Sequence, residues 1–125
     1  MEMTQKELTE ILADHSLWLK GHGGKLANLI DSDLSKANLD GANLVKANLE
    51  GATLTGADLR GAKLANANLI GADLTNANLV GADLTGARLA GAYLHGAKLE
   101  GALVGDGVER TPCQSGRLCI PSPIR

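Results

Sequence analysis

From Ala27 to Asp106 a five-residue unit, most often Ala-(Asn/Asp)-Leu-x-x, recurs without an insertion. Leu fills its central slot at every fifth position from Leu29 to Leu99, and Val104 takes the last one. The run is 106 − 27 + 1 = 80 residues, or sixteen pentads. An α-helix turns about 100° per residue, so a spacing of five steps each Leu roughly 140° around the axis and no apolar stripe forms. A flat strand fails for a different reason: its side chains alternate, and an odd spacing throws successive leucines onto opposite faces. The chain must therefore turn once per repeat. Ala stands two residues before each Leu except at Ser32, small enough for a crowded interior. Two residues after it stand Gly41, Gly51, Gly56, Gly61, Gly71, Gly81, Gly86, Gly91, Gly96 and Gly101, with Asn66 and Asn76, the residue types a corner demands. A pentad that cannot bury its own Leu has to stack on its neighbours, which is how a solenoid is built.

This run of Ala-Asn-Leu and Ala-Asp-Leu pentads resembles the pentapeptide-repeat proteins, over 80 of the 125 residues. The resemblance implies an all-β solenoid, a right-handed quadrilateral parallel β-helix with four pentads per coil. Sixteen pentads then make four coils, a rod roughly 19 Å tall at about 4.8 Å per coil.

The flanks complete the domain plan. Residues 1–26 read as an N-terminal helical cap with a Gly-rich turn, 27–106 as the β-helix and 107–125 as a C-terminal cap or tail. Thr4-Gln5-Lys6-Glu7 is a capping box ahead of an apolar face of Leu8, Ile11, Leu12 and His15, which predicts one amphipathic helix over about 5–19. Gly21-His22-Gly23-Gly24 ends it. This helix is placed to cover the open first coil, with Trp18 as the expected anchor. The segment from His15 to Gly24 also resembles the leader that precedes the repeats in many bacterial members. In the tail, Pro112, Pro121 and Pro123 leave room for a short hairpin about Ser115-Gly116 or an extended tail. Cys113 and Cys119 lack a zinc spacing, and reduced thiols are expected.

Composition narrows the function classes. The chain has no Phe, one Trp and one Tyr, which suits a narrow interior of Leu and Ala. A net charge of −2 argues for neither nucleic-acid binding nor membrane attraction. No apolar stretch approaches about 18 residues, and Glu2, Glu7 and Glu10 stand where a signal peptide would be basic and then apolar, so a cytoplasmic protein is expected. His15, His22 and His95 read as lid surface, loop and outer face, with no carboxylate or Cys at a metal-ligand spacing. The glycine turn precedes a solenoid strand and not a helix, so no phosphate cradle is expected. With a filled interior and no cleft, no enzyme, cofactor or metal is expected.

One region breaks the pattern. In columns of twenty, the slot before Leu holds Asn or Asp at ten of twelve places in the first three coils, Thr53 and Lys63 being the exceptions. In the fourth coil all four depart, to Arg88, Tyr93, Lys98 and Leu103, and His95 joins them. Two readings stand side by side: contact with a C-terminal cap, or a binding and self-association surface built on Arg88, Tyr93, His95, Lys98 and Leu103, since Tyr and Arg are favoured interface anchors. Elsewhere Asp83 over Lys63 and Asp40 under Arg60 are expected as solvated ion pairs. The leading function is a non-enzymatic structural or interaction protein that offers a rigid surface to a protein partner or, through its C-terminal coil, to a second copy. The alternative, implied by resemblance to quinolone-resistance members, is a DNA mimic that engages the type II topoisomerase gyrase. Charge speaks against it. Duplex DNA carries on the order of eleven charges over such a height, whereas residues 27–106 hold nine acids and six bases, net −3.

Overall fold

A computed structural model describes residues 3–105 and the backbone of 108–109. Helix α1 spans Gln5–Leu19. Its capping box is fully formed: the Glu7 amide donates to Thr4 Oγ1 at 3.1 Å and the Thr4 amide to Glu7 Oε1 at 3.0 Å. The Thr4 amide and hydroxyl hold the Glu7 carboxyl below its usual range. At the other end Gly21 takes φ +75°, the His22 amide reaches back to Leu17 O at 2.9 Å and the Gly21 amide to Trp18 O at 3.1 Å. That crossed pair of bonds closes the last turn and reverses the chain.

From Ala27 onward each pentad faces the pentad twenty residues later. Parallel bridges join Asn28 to Asn48, Asp33 to Thr53, Asn38 to Asp58 and Asn43 to Lys63, and the same step repeats to Asn78 with Lys98. Four pentads therefore close one coil, and the coils begin at residues 27, 47, 67 and 87. The faces are narrower than ordinary strands. Most contribute a single bridged residue, because a corner interrupts every fifth position. Among the described residues three short strands form: β1 (Asp83–Thr85), β2 (Leu103–Gly105) and β3 (Val108–Glu109). β1 and β2 pair in parallel, one coil apart, whereas β3 returns antiparallel along β2.

The backbone amides of one pentad show why its residue types are needed. Around Leu69, the Ala67 amide closes the corner onto Leu64 O, and the Asn68 amide donates down to Ala47 O. The amides of Leu69 and Gly71 donate up to Arg88 O and Ala90 O, at 2.8 and 2.9 Å. Only the Ile70 amide has no backbone acceptor, and Asn68 Oδ1 accepts it at 3.0 Å. The same side-chain bond recurs at every Asn or Asp of this slot, from Asn28 with Ile30 to Asp83 with Thr85. Asn and Asp thus supply the one acceptor the coil's backbone lacks.

Corners take φ between +56° and +74° from residue 31 to residue 101 whatever stands there, including Asp31, Lys36 and Lys46 as well as glycine. A corner side chain folds over the next coil. A Cβ on Gly86 would meet Asn66 Oδ1, and one on Gly96 would meet Asn76 Oδ1. Inside, Leu29 through Leu84 are at most 1% exposed at each central slot.

The lid corrects one expectation. Trp18 is not its anchor: the ring is 38% exposed and stacks outside on His15, centroids 5.8 Å apart. Leu8 and His15 are the residues that enter the core. His15 was expected on the lid surface and is instead completely buried. Its Nε2 lies 2.8 Å from Val45 O, and its Nδ1 accepts the Ala27 amide at 3.0 Å, so the ring carries its proton on Nε2. These are the bonds that a preceding coil would make. One coil later Ala65 O accepts the Lys46 corner amide and the Ala47 amide donates to Leu44 O. One imidazole replaces both a corner amide and a leucine carbonyl. The Met3 amide, at 3.0 Å from Asp33 O, stands in for a leucine amide in the same way.

Candidate interaction surface

The fourth coil is where the side-chain acceptors run out. Arg88 bridges Asn68, Tyr93 bridges Asp73 and Lys98 bridges Asn78, while Leu103 lies in β2 opposite Asp83. None of the four offers a carboxyl or amide oxygen at the place where Asn68 Oδ1 holds the Ile70 amide. Arg88, His95 and Lys98 are exposed, Tyr93 is 54% exposed and Leu103 is 40% exposed. The five residues do not converge on one patch. Each face receives one of Arg88, Tyr93, Lys98 and Leu103, and only Tyr93 and His95 share a face, two residues apart in the same pentad. They form a collar around the C-terminal end of the described solenoid.

Among the described residues, the ion pairs centre on Arg60, which reaches Asp58 at 2.7 Å and Asp40 at 3.9 Å. The Arg60 side chain holds the Asp58 carboxyl below its usual range. The pair expected between Asp83 and Lys63 does not form. Asp83 instead accepts the Thr85 amide at 3.0 Å, and the Thr85 hydroxyl and amide lower its pKa. Asp33 is lowered in the same way, by the Ser35 hydroxyl first and the Ser35 amide second.

A recess of about 190 Å³ lies beside the lid, lined by Ile11, Asp14, Lys25, Leu26, Ala27 and Asn28. Among the described residues no group of three or more His, Cys, Asp or Glu side chains is arranged to hold a metal ion. No helix among them is long and apolar enough to cross a membrane. The expected tail hairpin and the Cys113–Cys119 question lie outside the described residues.

Geometry therefore defines a class, the stacked parallel β-solenoid with polar outer walls and a leucine interior. A family model of pentapeptide repeats, eight copies long, matches residues 27–66 and again 67–103. The chain belongs to the pentapeptide-repeat family, whose solved members imply a right-handed quadrilateral β-helix. It is similar to the pentapeptide repeat protein alr5209 of Nostoc Pcc 7120, at 32% identity over 84% of this chain and 81% of that one, with a TM-score of 0.66. It is also similar to the pentapeptide repeat protein Rfr23 of the cyanobacterium Cyanothece 51142, at 41% identity over 66% of this chain and 60% of that one, with a TM-score of 0.52. QnrB1, a plasmid-mediated fluoroquinolone resistance protein, matches at 25% identity over 66% of this chain and 49% of that one, with a TM-score of 0.26. A likeness that low carries no functional argument. No curated protein matches the chain.

Proposed function

We infer that this chain is a non-enzymatic interaction protein whose working surface is the fourth-coil collar of Arg88, Tyr93, His95, Lys98 and Leu103, turned to a protein partner. One observation carries the reading. In the first three coils ten Asn or Asp side chains are tied to an amide two residues on, and in the fourth coil none is. Four of these bonds are part-buried and six exposed, so each contributes at most about 0.5–1.5 kcal/mol. Giving up four of them in one coil, two for Arg and Tyr, which are enriched at interfaces, fits selection for contact. A cytoplasmic location and the absence of any nucleic-acid partner belong to the same proposal. Fractionation of the host checks the first.

The test is an affinity capture from the native host with the wild-type chain and with Arg88→Asn, Tyr93→Asp and Lys98→Asn combined. The reading expects a partner recovered by the first and lost by the second, with both chains equally folded. An unchanged set of partners refutes it. Self-association through the same coil is the other use of this surface. Light scattering reports it as a doubled mass that the triple substitution abolishes. The gyrase alternative has no observation in its favour. Inhibition or protection of gyrase supercoiling at stoichiometric protein would nevertheless reinstate it.

A further inference from the structure

We propose that the open rim of the fourth coil above residues 87–91 is a strand-addition site for an extended peptide that carries an acidic residue directly before an apolar one. The proposal rests on the collar being an interaction surface and names the chemistry of what it takes.

From Leu29 to Gly81 the amides of the central Leu and of the corner donate upward, and the carbonyl two residues before the Leu accepts from above. Leu69, Gly71 and Ala67 do so with Arg88 and Ala90. On the fourth coil the corresponding groups are the amides of Leu89 and Gly91 and the carbonyl of Ala87, and none has a partner among the described residues. The reason lies in the path of the chain. In a continuing solenoid residues 107–111 would lie over 87–91, twenty positions on. Instead β3 turns back and pairs antiparallel with β2, Val108 opposite Val104. Among the described residues nothing covers the rim above 87–91, and β3 pairs with β2 on the adjoining face as an added strand would.

Burial agrees. Leu89 and Ala87 are only partly buried, whereas Leu69 and Ala67, one coil below them, are completely so. A strand laid here would place one apolar side chain over Leu89, as Leu89 itself lies over Leu69. The residue before that apolar one would stand over Arg88. Arg88 is exposed and forms no ion pair among the described residues, while its column below is Asn28, Asn48 and Asn68. An acidic side chain at that place gains a charge-assisted hydrogen bond from the guanidinium. Two main-chain carbonyls accept the Leu89 and Gly91 amides, and one amide donates to Ala87 O. This is strand addition, with affinity from the main chain and selectivity from the acid and the apolar residue.

The test uses the full chain and the peptide acetyl-Ala-Glu-Leu-Thr-Gly-amide, with amide chemical shifts and hydrogen exchange as readouts. The expected result is a saturable shift and at least about tenfold slower exchange at Leu89 and Gly91, the factor that 1.4 kcal/mol brings. Arg88→Glu should weaken binding about tenfold or more, and acetyl-Ala-Lys-Leu-Thr-Gly-amide should bind that variant in preference. Arg88→Asn, which restores the residue of the lower coils, checks that the loss is one of charge and not of fold. Any of four results overturns the proposal: no shift at millimolar peptide, shifts centred elsewhere, Leu89 and Gly91 already protected in the free monomer, or protection that grows with protein concentration. The third would mean that the chain's own residues occupy the rim, and the fourth that a second copy does. If the peptide fails while the collar substitutions still lose a partner, the rim is wrong and the collar stands. If both fail, the fourth coil is not the working surface.

Discussion

Replacing His15 by Leu removes the one side chain that impersonates a missing coil. Leu fills a similar volume and keeps the site apolar, so the dominant effect is the loss of two hydrogen bonds. Val45 O loses its donor at a partly buried place, and the Ala27 amide loses its acceptor at a fully buried one. Leaving a buried backbone group unsatisfied costs about 1–3 kcal/mol, so the Ala27 amide should cost about that much and Val45 O, partly open to water, should add less. Trp18, the only tryptophan, stacks on this imidazole and reports the event directly. Urea denaturation followed by Trp18 fluorescence and by far-ultraviolet circular dichroism measures the global loss. Hydrogen exchange in α1 shows whether the lid leaves first, as the neighbour-only coupling of solenoids allows. His15→Gln, which keeps a donor and an acceptor on one side chain, should lose less than His15→Leu. A His15→Leu protein within about 0.5 kcal/mol of wild type, with α1 amides still protected, would refute the idea that the imidazole holds the lid.

Three further outcomes follow from the same geometry. Asn68→Ala frees the Ile70 amide and should cost about 0.5–1.5 kcal/mol by chemical denaturation, while Asn68→Asp, which keeps the acceptor, should cost less. Gly24→Ala should be far more damaging than Gly23→Ala, although both sit near φ +80°. A Cβ on Gly24 meets Asp14 O, Leu17 Cβ and Trp18 N, whereas one on Gly23 meets nothing, so the second carries only the left-handed penalty of about 1–2 kcal/mol. Thermal melts rank them. Asp33, Asp58 and Asp83 are all held below their ordinary carboxylate range. Their contribution is therefore complete at neutral pH and is lost as the pH falls below about 4. Changing Asp33 and Asp83 to Asn keeps the acceptor oxygens and should flatten the acid limb of a stability-versus-pH curve, and an unchanged acid limb would show that these ties do not contribute.

Much of the fold is written in the period. Leucine at every fifth place excludes the helix and the flat strand, glycine two places later marks the corner, and the capping box locates α1 to the residue. The fourth-coil departures are equally visible, because ten of twelve earlier slots keep to Asn or Asp. The purpose of those residues was not visible. Only the backbone shows that the amide two positions on lacks any other acceptor, and hence that Arg88, Tyr93, Lys98 and Leu103 abandon a structural tie and do not merely vary a surface. The period of twenty also places Arg88, Tyr93, Lys98 and Leu103 on four successive faces, and their pairing with Asn68, Asp73, Asn78 and Asp83 agrees. His15 escaped for a related reason. Its spacing of seven from Leu8 puts it on the apolar face of α1, but its value lies in two backbone partners, Val45 and Ala27, which are remote from it in sequence. Trp18 looked like the anchor because large apolar rings usually are. The lid needs hydrogen-bonding groups as well as area, and an imidazole provides both.

Four pentads per coil is the claim on which every column, collar and rim depends. Scalar couplings transmitted through hydrogen bonds, measured on isotope-labelled protein, test it directly by pairing each donor with its acceptor. The predicted pattern links the amide of a central Leu to the carbonyl nineteen residues later, Leu49 with Asn68 and Leu69 with Arg88 among them. Couplings at a spacing of fourteen, as a three-sided coil would give, or from each amide to the carbonyl four residues earlier, as in a helix, would contradict it.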